Sequence, residues 1–228
     1  MALYTIADLH LSLSCNKPMD IFKGWDDHVE RLRENWQKTV TAEDTVVIPG
    51  DISWGIDLAE AKADFDFINR LNGSKIIIKG NHDYWWATMT KMNAFLNENG
   101  FDTIRVLNNN YYPYGEYGIC GTRGWINENG VPADEKVLAR EKQRLETSVK
   151  AAVDDGKKPI VFLHYPPVYI NDYNYPILEV MQKYGVERCF YGHLHGKAHN
   201  FAVNGLYDGI NYSLISGDFV QFCPKLVL

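Results

Sequence analysis

Lys75-Ile-Ile-Ile-Lys79 runs directly into Gly80-Asn81-His82-Asp83. A short run of β-branched residues bounded by polar ones reads as a buried strand. The cluster at its end offers an amide oxygen, an imidazole and a carboxylate. The same pattern recurs on both sides. Leu3-Tyr-Thr-Ile-Ala7 leads into Asp8, and Thr45-Val-Val-Ile-Pro49 into Gly50-Asp51. Pro159-Ile-Val-Phe-Leu163 ends at His164, and Arg188-Cys-Phe-Tyr191 at Gly192-His193. Between these runs, Asp26 to Val40, Asp57 to Leu71 and Asp134 to Val153 carry apolar residues at helical spacing. Strands alternating with helices predict an α/β layered fold. In such folds ligands gather at the carboxyl ends of the strands, where all five polar clusters fall. Asn108 to Pro132, rich in Asn, Gly and Tyr, reads as loop-rich structure near that end, with one strand-like piece at Tyr117 to Cys120.

The chain has 228 residues, 46% of them hydrophobic, which suits one domain spanning 1–228 with a full core. Its net charge is -6 and no basic block is present, which argues against an extended nucleic-acid partner and leaves room for a small phosphorylated substrate. No apolar run approaches the length of a membrane span, and the first residues lack a basic segment and a cleavage site, so the N-terminus reads as mature sequence. Cys15, Cys120, Cys189 and Cys223 form no C-x-x-C pair and read as buried, reduced thiols of a cytoplasmic protein. Oligomeric state is not legible.

Asp8-Leu9-His10 and His193-Leu194-His195 place two ligand types at i and i+2. On a strand these point to one face and reach a single ion. Gly192 and Gly196 flank the second pair and permit tight bends. Asp51, Asn81 and His164 complete an inventory of four histidines, two aspartates and one asparagine, too large for one ion and suited to two that share a carboxylate; His82 stands within the same motifs. Nitrogen and oxygen donors without thiolate favour Mn, Fe, Zn or Co over Mg or Ca. Five of the seven histidines occupy these positions, which independent placement in a core does not explain.

D-x-H, G-D, G-N-H-D, a strand-end H and G-H-x-H, in that order, resemble the calcineurin-like metallophosphoesterase family. Gly-Asp-Ile-Ser-Trp, Gly-Asn-His-Asp-Tyr-Trp-Trp and Gly-Thr-Arg-Gly-Trp are similar to an uncharacterised bacterial subgroup of predicted phosphohydrolases. The resemblance implies a four-layer sandwich, with two mixed β-sheets packed face to face and helices outside. It implies two divalent transition-metal ions, with Mn or an Fe/Zn pair favoured. Asp8, His10 and His195 would hold one; Asn81, His164 and His193 the other; Asp51 would bridge them. A hydroxide bridging the metals would attack phosphorus in line. His82 would face the substrate as general acid, with Asp83 orienting its ring. The implied activity is phosphoester hydrolysis. The alternatives are a phosphodiesterase or nuclease acting on cyclic nucleotides or short nucleic acids, and a metal-binding scaffold without catalysis.

Other residues admit two readings. Arg123 either binds a substrate phosphate or is a loop arginine paired with an acid. Arg140 and Arg144, beside Glu141, read as surface ion pairs. His28 reads as a structural histidine, and His199 as a pocket or a surface residue. Trp54, Tyr84, Trp85, Trp86, Trp125 and Tyr165 follow site motifs; packing is favoured over an aromatic wall for a ligand.

Overall fold

The computed structural model describes residues 1–125, 134–170 and 172–228. Two sheets account for the architecture. The first has the order β13 (Lys225–Leu226), β1 (Leu3–Thr5), β2 (Thr45–Pro49), β3 (Ser74–Ile78), β4 (Ile104–Val106). The second has the order β11 (Gly205–Tyr207), β12 (Ile210–Leu214), β10 (Arg188–Tyr191), β7 (Lys158–Leu163), β6 (Tyr117–Thr122), β5 (Tyr112–Tyr114). A hairpin of β8 (Val168–Tyr169) and β9 (Asp172–Tyr173) stands apart. Inner strands pair in parallel; β13, β11 and β5 run antiparallel at the edges.

The sheets face each other across a core of Leu3, Val47, Ile76, Ile78, Ile119, Ile160, Phe162, Phe190 and neighbours. Both faces of each inner strand are buried, which is why the strands read as continuous apolar runs. The outer face of the first sheet packs with α1 (His28–Thr39), α2 (Leu58–Arg70) and α3 (Met89–Glu98), through Leu32, Trp36, Phe65, Ile68 and Met92. The outer face of the second packs with α4 (Glu135–Asp154) and α5 (Tyr175–Lys183), through Leu145, Val149, Ile177 and Val180. This is the four-layer sandwich expected from the resemblance.

Helix starts are chemically marked. The Asp57 carboxylate accepts the N–H groups of Ala59 and Glu60, both at 2.9 Å, at the start of α2. Asn174 caps α5, with Pro176 in its first turn. The end of α2 is closed by a buried cation: Lys75 Nζ donates to the carbonyls of Leu71 at 2.5 Å and Gly73 at 2.8 Å. Its burial pushes the ammonium pKa down to about 8.

The structure corrects two expectations. The strand-like piece at Tyr117 to Cys120 is the start of a six-residue inner strand, β6, paired with β7 along its whole length, and with β5 it places much of 108–132 in the sheet rather than in loops; residues 126–132 of that stretch lie outside those described. Asp8-Leu9-His10 and His193-Leu194-His195 are not strand segments. β1 ends at Thr5 and β10 at Tyr191, and Asp8, His10 and His193 take left-handed φ of 58°, 45° and 72°. Alternation along a strand therefore does not explain how each pair converges.

What brings the motifs together is register. Pro49 is level with Ile78 in the first sheet. In the second, Leu163 is level with both Thr122 and Tyr191, and Tyr191 with Leu214. Parallel strands ending at one height place the residues that follow them on one rim. Phe162 is fully buried between the sheets, its ring stacked on Phe190 with centroids 5.2 Å apart. Phe162→Ala is expected to cost about 3–5 kcal/mol in chemical denaturation, with the denaturant slope unchanged.

Candidate metal centre

Two groups of donor atoms meet on the rim. Asp8, His10 and His195 form one, and Asp51, His164 and His193 the other; within each, one donor atom per residue lies within 4.8 Å of the others. Asp51 stands between the groups. Its Oδ2 is 3.7 Å from His10 Nε2, and its Oδ1 is 3.5 Å from His164 Nε2. Asn81 Oδ1 joins the second group, 2.6 Å from His164 Nε2 and 3.0 Å from His193 Nδ1. The seven residues expected as ligands therefore stand together.

The tautomers are set from outside. His164 Nδ1 lies 3.1 Å from the carbonyl oxygen of Pro49. A carbonyl only accepts, so the proton sits on Nδ1 and the Nε2 lone pair faces the site. His195 Nδ1 is 2.9 Å from Asp218 Oδ1, which turns its Nε2 inward in the same way. Asp218 also accepts the Gly196 N–H at 3.0 Å and approaches His199 Nε2 at 3.2 Å. Sequence reading missed Asp218, and this places His199 at the edge of the centre. The missed signal was present: Ile210-Asn-Tyr-Ser-Leu214 alternates as a half-buried strand does and is followed closely by Gly217-Asp218.

The donor set fits a pair of cations. Asp8 Oδ1 and His10 Nδ1 are buried without a hydrogen-bond partner. His10 Nε2 and His195 Nε2 are 3.3 Å apart. Acceptors that face one another need something positive between them. Burial, opposed by His195 and reinforced by Asp51, pushes the Asp8 carboxyl up to about 8. Burial also raises Asp51. Burial lowers His164 to about 3 and His193 to about 2, and holds His10 well below the usual imidazole range. These rings stay neutral, the form that binds a metal. His195 goes the other way: burial alone would lower it, but Asp218 and Asp8 raise it.

Backbone strain concentrates here. Asp51, like Asp8, His10 and His193, has positive φ, at 51°. A Cβ on Gly50 would stand 2.6 Å from His164 Nδ1, at a φ of 91° that already favours glycine. A Cβ on Gly80 would stand 2.1 Å from Asp51 Oδ1.

Asp83 does not orient His82. Its oxygens accept four backbone N–H groups: Gly80 at 2.7 Å, Ile52 at 2.8 Å, Asp51 at 3.0 Å and Ser53 at 3.3 Å. It is fully buried, and burial together with Asp51 raises its pKa to about 7. Asp83 ties the Gly50-Asp51 turn to the Gly80 turn and never reaches the imidazole. His82 stands at the rim with its side chain 34% exposed, Nε2 4.0 Å from Asp51 Oδ2 and Nδ1 buried without a partner. Trp54 packs on both imidazoles, with centroids 5.0 Å from His10 and 4.5 Å from His82. Trp85 and Tyr165 are buried, as packing predicts, and Tyr84 is exposed. His28 is buried against Trp25 and Phe222 and hydrogen-bonds the backbone of Leu9 and His10, so it stands behind the donor groups rather than among them.

The sequence matches the model of the calcineurin-like phosphoesterase family over residues 1–197, a span that holds every motif from Asp8 to His195, and the chain belongs to that family. Among solved structures it is similar to AQ665 of Aquifex aeolicus, described as a protein of unknown function. Identity is 16%, coverage 99% of this chain and 95% of that one, and the TM-score 0.53. It is also similar to TT1561 of Thermus thermophilus, at 10% identity, 99% and 97% coverage and a TM-score of 0.60. At these identities the likeness is one of fold alone. No curated protein matches the sequence. No helix among the described residues is long and apolar enough to cross a membrane.

This geometry can be tested at Asp83 and through pH. Asp83→Ala strands four backbone donors and is expected to destabilise the protein by about 3 kcal/mol and to abolish tight metal binding, measured by thermal unfolding and metal analysis. The pH response follows from competition between protons and cations for the buried carboxylates. Asp8 at about 8 and Asp83 at about 7 lie above the usual 3.8, so the metal-free folded chain holds extra protons and gains stability as pH falls through about 8. His164 and His193 lie below 6.5, so their contribution to stability is lost only as pH falls below about 6.5. Apparent Mn²⁺ or Zn²⁺ affinity, read by chelator competition, should rise from about pH 6.5 to about 8 and level off above. A flat profile would show Asp8 already ionised in the metal-free protein.

Proposed function

We propose that the protein is a phosphoester hydrolase that works with two divalent transition-metal ions, Mn or an Fe/Zn pair being the best match to its donors. The observation that carries this reading is the pair of three-residue donor groups with one oxygen of Asp51 turned toward each. Asp8, His10 and His195 would hold one ion, Asn81, His164 and His193 the other, and Asp51 both. Two bound cations would supply Lewis acidity, lowering the pKa of a water molecule and neutralising charge on the phosphoryl oxygens. Water adds across the P–O bond, and the products are an alcohol and a phosphate. His82 Nε2 gives the proton to the departing oxygen; its exposure at the rim and its 4.0 Å separation from Asp51 support that role. Asp218 keeps His195 turned inward, and Asp83 keeps the Asp51 turn in place. Four free thiols suit a cytoplasmic setting.

The test is hydrolysis of matched aryl phosphate monoesters and diesters by metal-stripped protein reloaded separately with Mn, Fe, Zn, Co or Mg. Metal-dependent turnover is expected, lost together with the metals in Asp51→Ala; the ratio of the two substrates separates phosphatase from phosphodiesterase. His82→Ala should retain both metals and lose about 10²–10⁴-fold in kcat on a poor leaving group. Full metal loading without turnover on any ester would point to a binding scaffold.

A further inference from the structure

A cavity of about 420 Å³ opens beside the metal centre, and none of the residues expected to hold metal lines it. Four cations do: Lys79 at the end of β3, Arg123 after β6, and Arg140 and Arg144 on α4. In a chain of net charge -6 this is a local excess of positive charge. Glu141, buried in the wall, offsets one of the four: its Oε1 is 2.8 Å from Arg144, and its Oε2 accepts the Thr122 hydroxyl at 2.6 Å and the Gly124 N–H at 3.1 Å. Among the described residues no carboxylate lies within ion-pair distance of Lys79, Arg123 or Arg140; the surface ion pairs expected of Arg140 and Arg144 are not formed, since Arg144 pairs with a buried carboxylate and Arg140 with none. Arg123 lies over the Trp125 ring, 4.7 Å from its centroid, and its Nε is buried without a hydrogen-bond partner. Thr88 and Met89, which open the ten-residue helix α3, line the same space and add the positive end of its dipole.

This cavity is tied to the chemistry by the chain itself. Lys79 precedes Asn81 by two residues, so their Cα atoms are at most about 7 Å apart. The carbonyl of Arg123 accepts the N–H of His164 at 3.1 Å and of Tyr165 at 2.9 Å. A ligand in the cavity is therefore within one small molecule's length of the donor groups.

Resting on the hydrolase reading, we propose that the substrate carries a second phosphate, held in this cavity by Lys79, Arg123 and Arg140 while the ester phosphate sits over Asp51. Planar guanidinium groups and an ammonium suit a phosphate dianion better than a neutral tail. The second phosphate is either on another carbon of the leaving alcohol or at the far end of a polyphosphate chain.

Two measurements test this. In the first, metal-free protein is titrated calorimetrically with inorganic pyrophosphate. One site per chain is expected, weakened about tenfold or more in Lys79→Met and in Arg140→Met. Both side chains reach solvent, and thermal unfolding checks that the variants fold. In the second, metal-loaded protein is given an aryl phosphate, a nucleoside 3′,5′-bisphosphate and a nucleoside 5′-diphosphate. The wild type should favour one of the two-phosphate substrates in kcat/KM, and which one identifies the placement of the second phosphate. That preference should fall about tenfold in the variants, chiefly through KM, with Arg140→Lys restoring part of it. Turnover of aryl phosphate with equal preference in wild type and variants, and no pyrophosphate binding, would overturn the cavity's role and leave the hydrolase reading intact. Pyrophosphate binding lost in the variants, with no ester turned over under any metal, would overturn the hydrolase reading and with it a substrate role for the bound anion.

Discussion

Lone pairs facing lone pairs are the constraint around which this molecule is arranged. On the rim where β1, β2, β3, β7 and β10 end, imidazole nitrogens, carboxylate oxygens and one amide oxygen point inward. Such a buried cluster resists carrying its own charge, and the shifts show it: burial drives Asp8 up to about 8 and His164 and His193 down to about 3 and 2. The chain holds the cluster by fixing three of its donors from behind. Pro49 fixes His164, Asp218 fixes His195, and Asp83 fixes the turn that carries Asp51. The two sheets supply a rigid frame, and the apolar layer around Phe162 and Phe190 keeps their ends level. Holding ligands in a repulsive, strained arrangement favours the metal-bound state, because a cation removes the repulsion that folding has imposed.

The donor residues were legible in the sequence because their chemistry is carried by residue type: His, Asp and Asn after apolar runs can be read without geometry. The helices α1, α2 and α4 were legible from their apolar spacing. The short α3 and α5 were not. Each follows an aromatic-rich stretch, and their starts are marked only by Thr88 and by Asn174 with Pro176. The face-to-face packing of two sheets came from the family resemblance, since alternation of strands and helices is equally compatible with a single sheet.

Where strand reasoning failed, the cause is local. Period-two alternation predicts that Asp8 and His10 share a face, and they do converge, but through left-handed turns, which Asp and His adopt more readily than most residues yet too rarely for sequence to signal them. Asp83 was misassigned because adjacency to His82 suggested a partner; the unpaired backbone of the neighbouring Asp51 turn claims its oxygens first. Four backbone donors converging on one buried carboxylate outweigh a single contact to a rim imidazole.

The close approach of Gly80 to Asp51 has a consequence for how such chains diversify. Because Gly80 must leave room for the Asp51 side chain, and Asp83 must receive the N–H groups of both, the Gly-Asp and Gly-Asn-His-Asp signatures are one object written in two places along the chain. Neither half can drift alone without breaking the other. The stretch between them, α2 and its loops, is free to lengthen, shorten or change sequence so long as it returns β3 to the same register. Variation among proteins built this way should therefore accumulate in the helices and rim loops, while the two signatures are inherited as a unit.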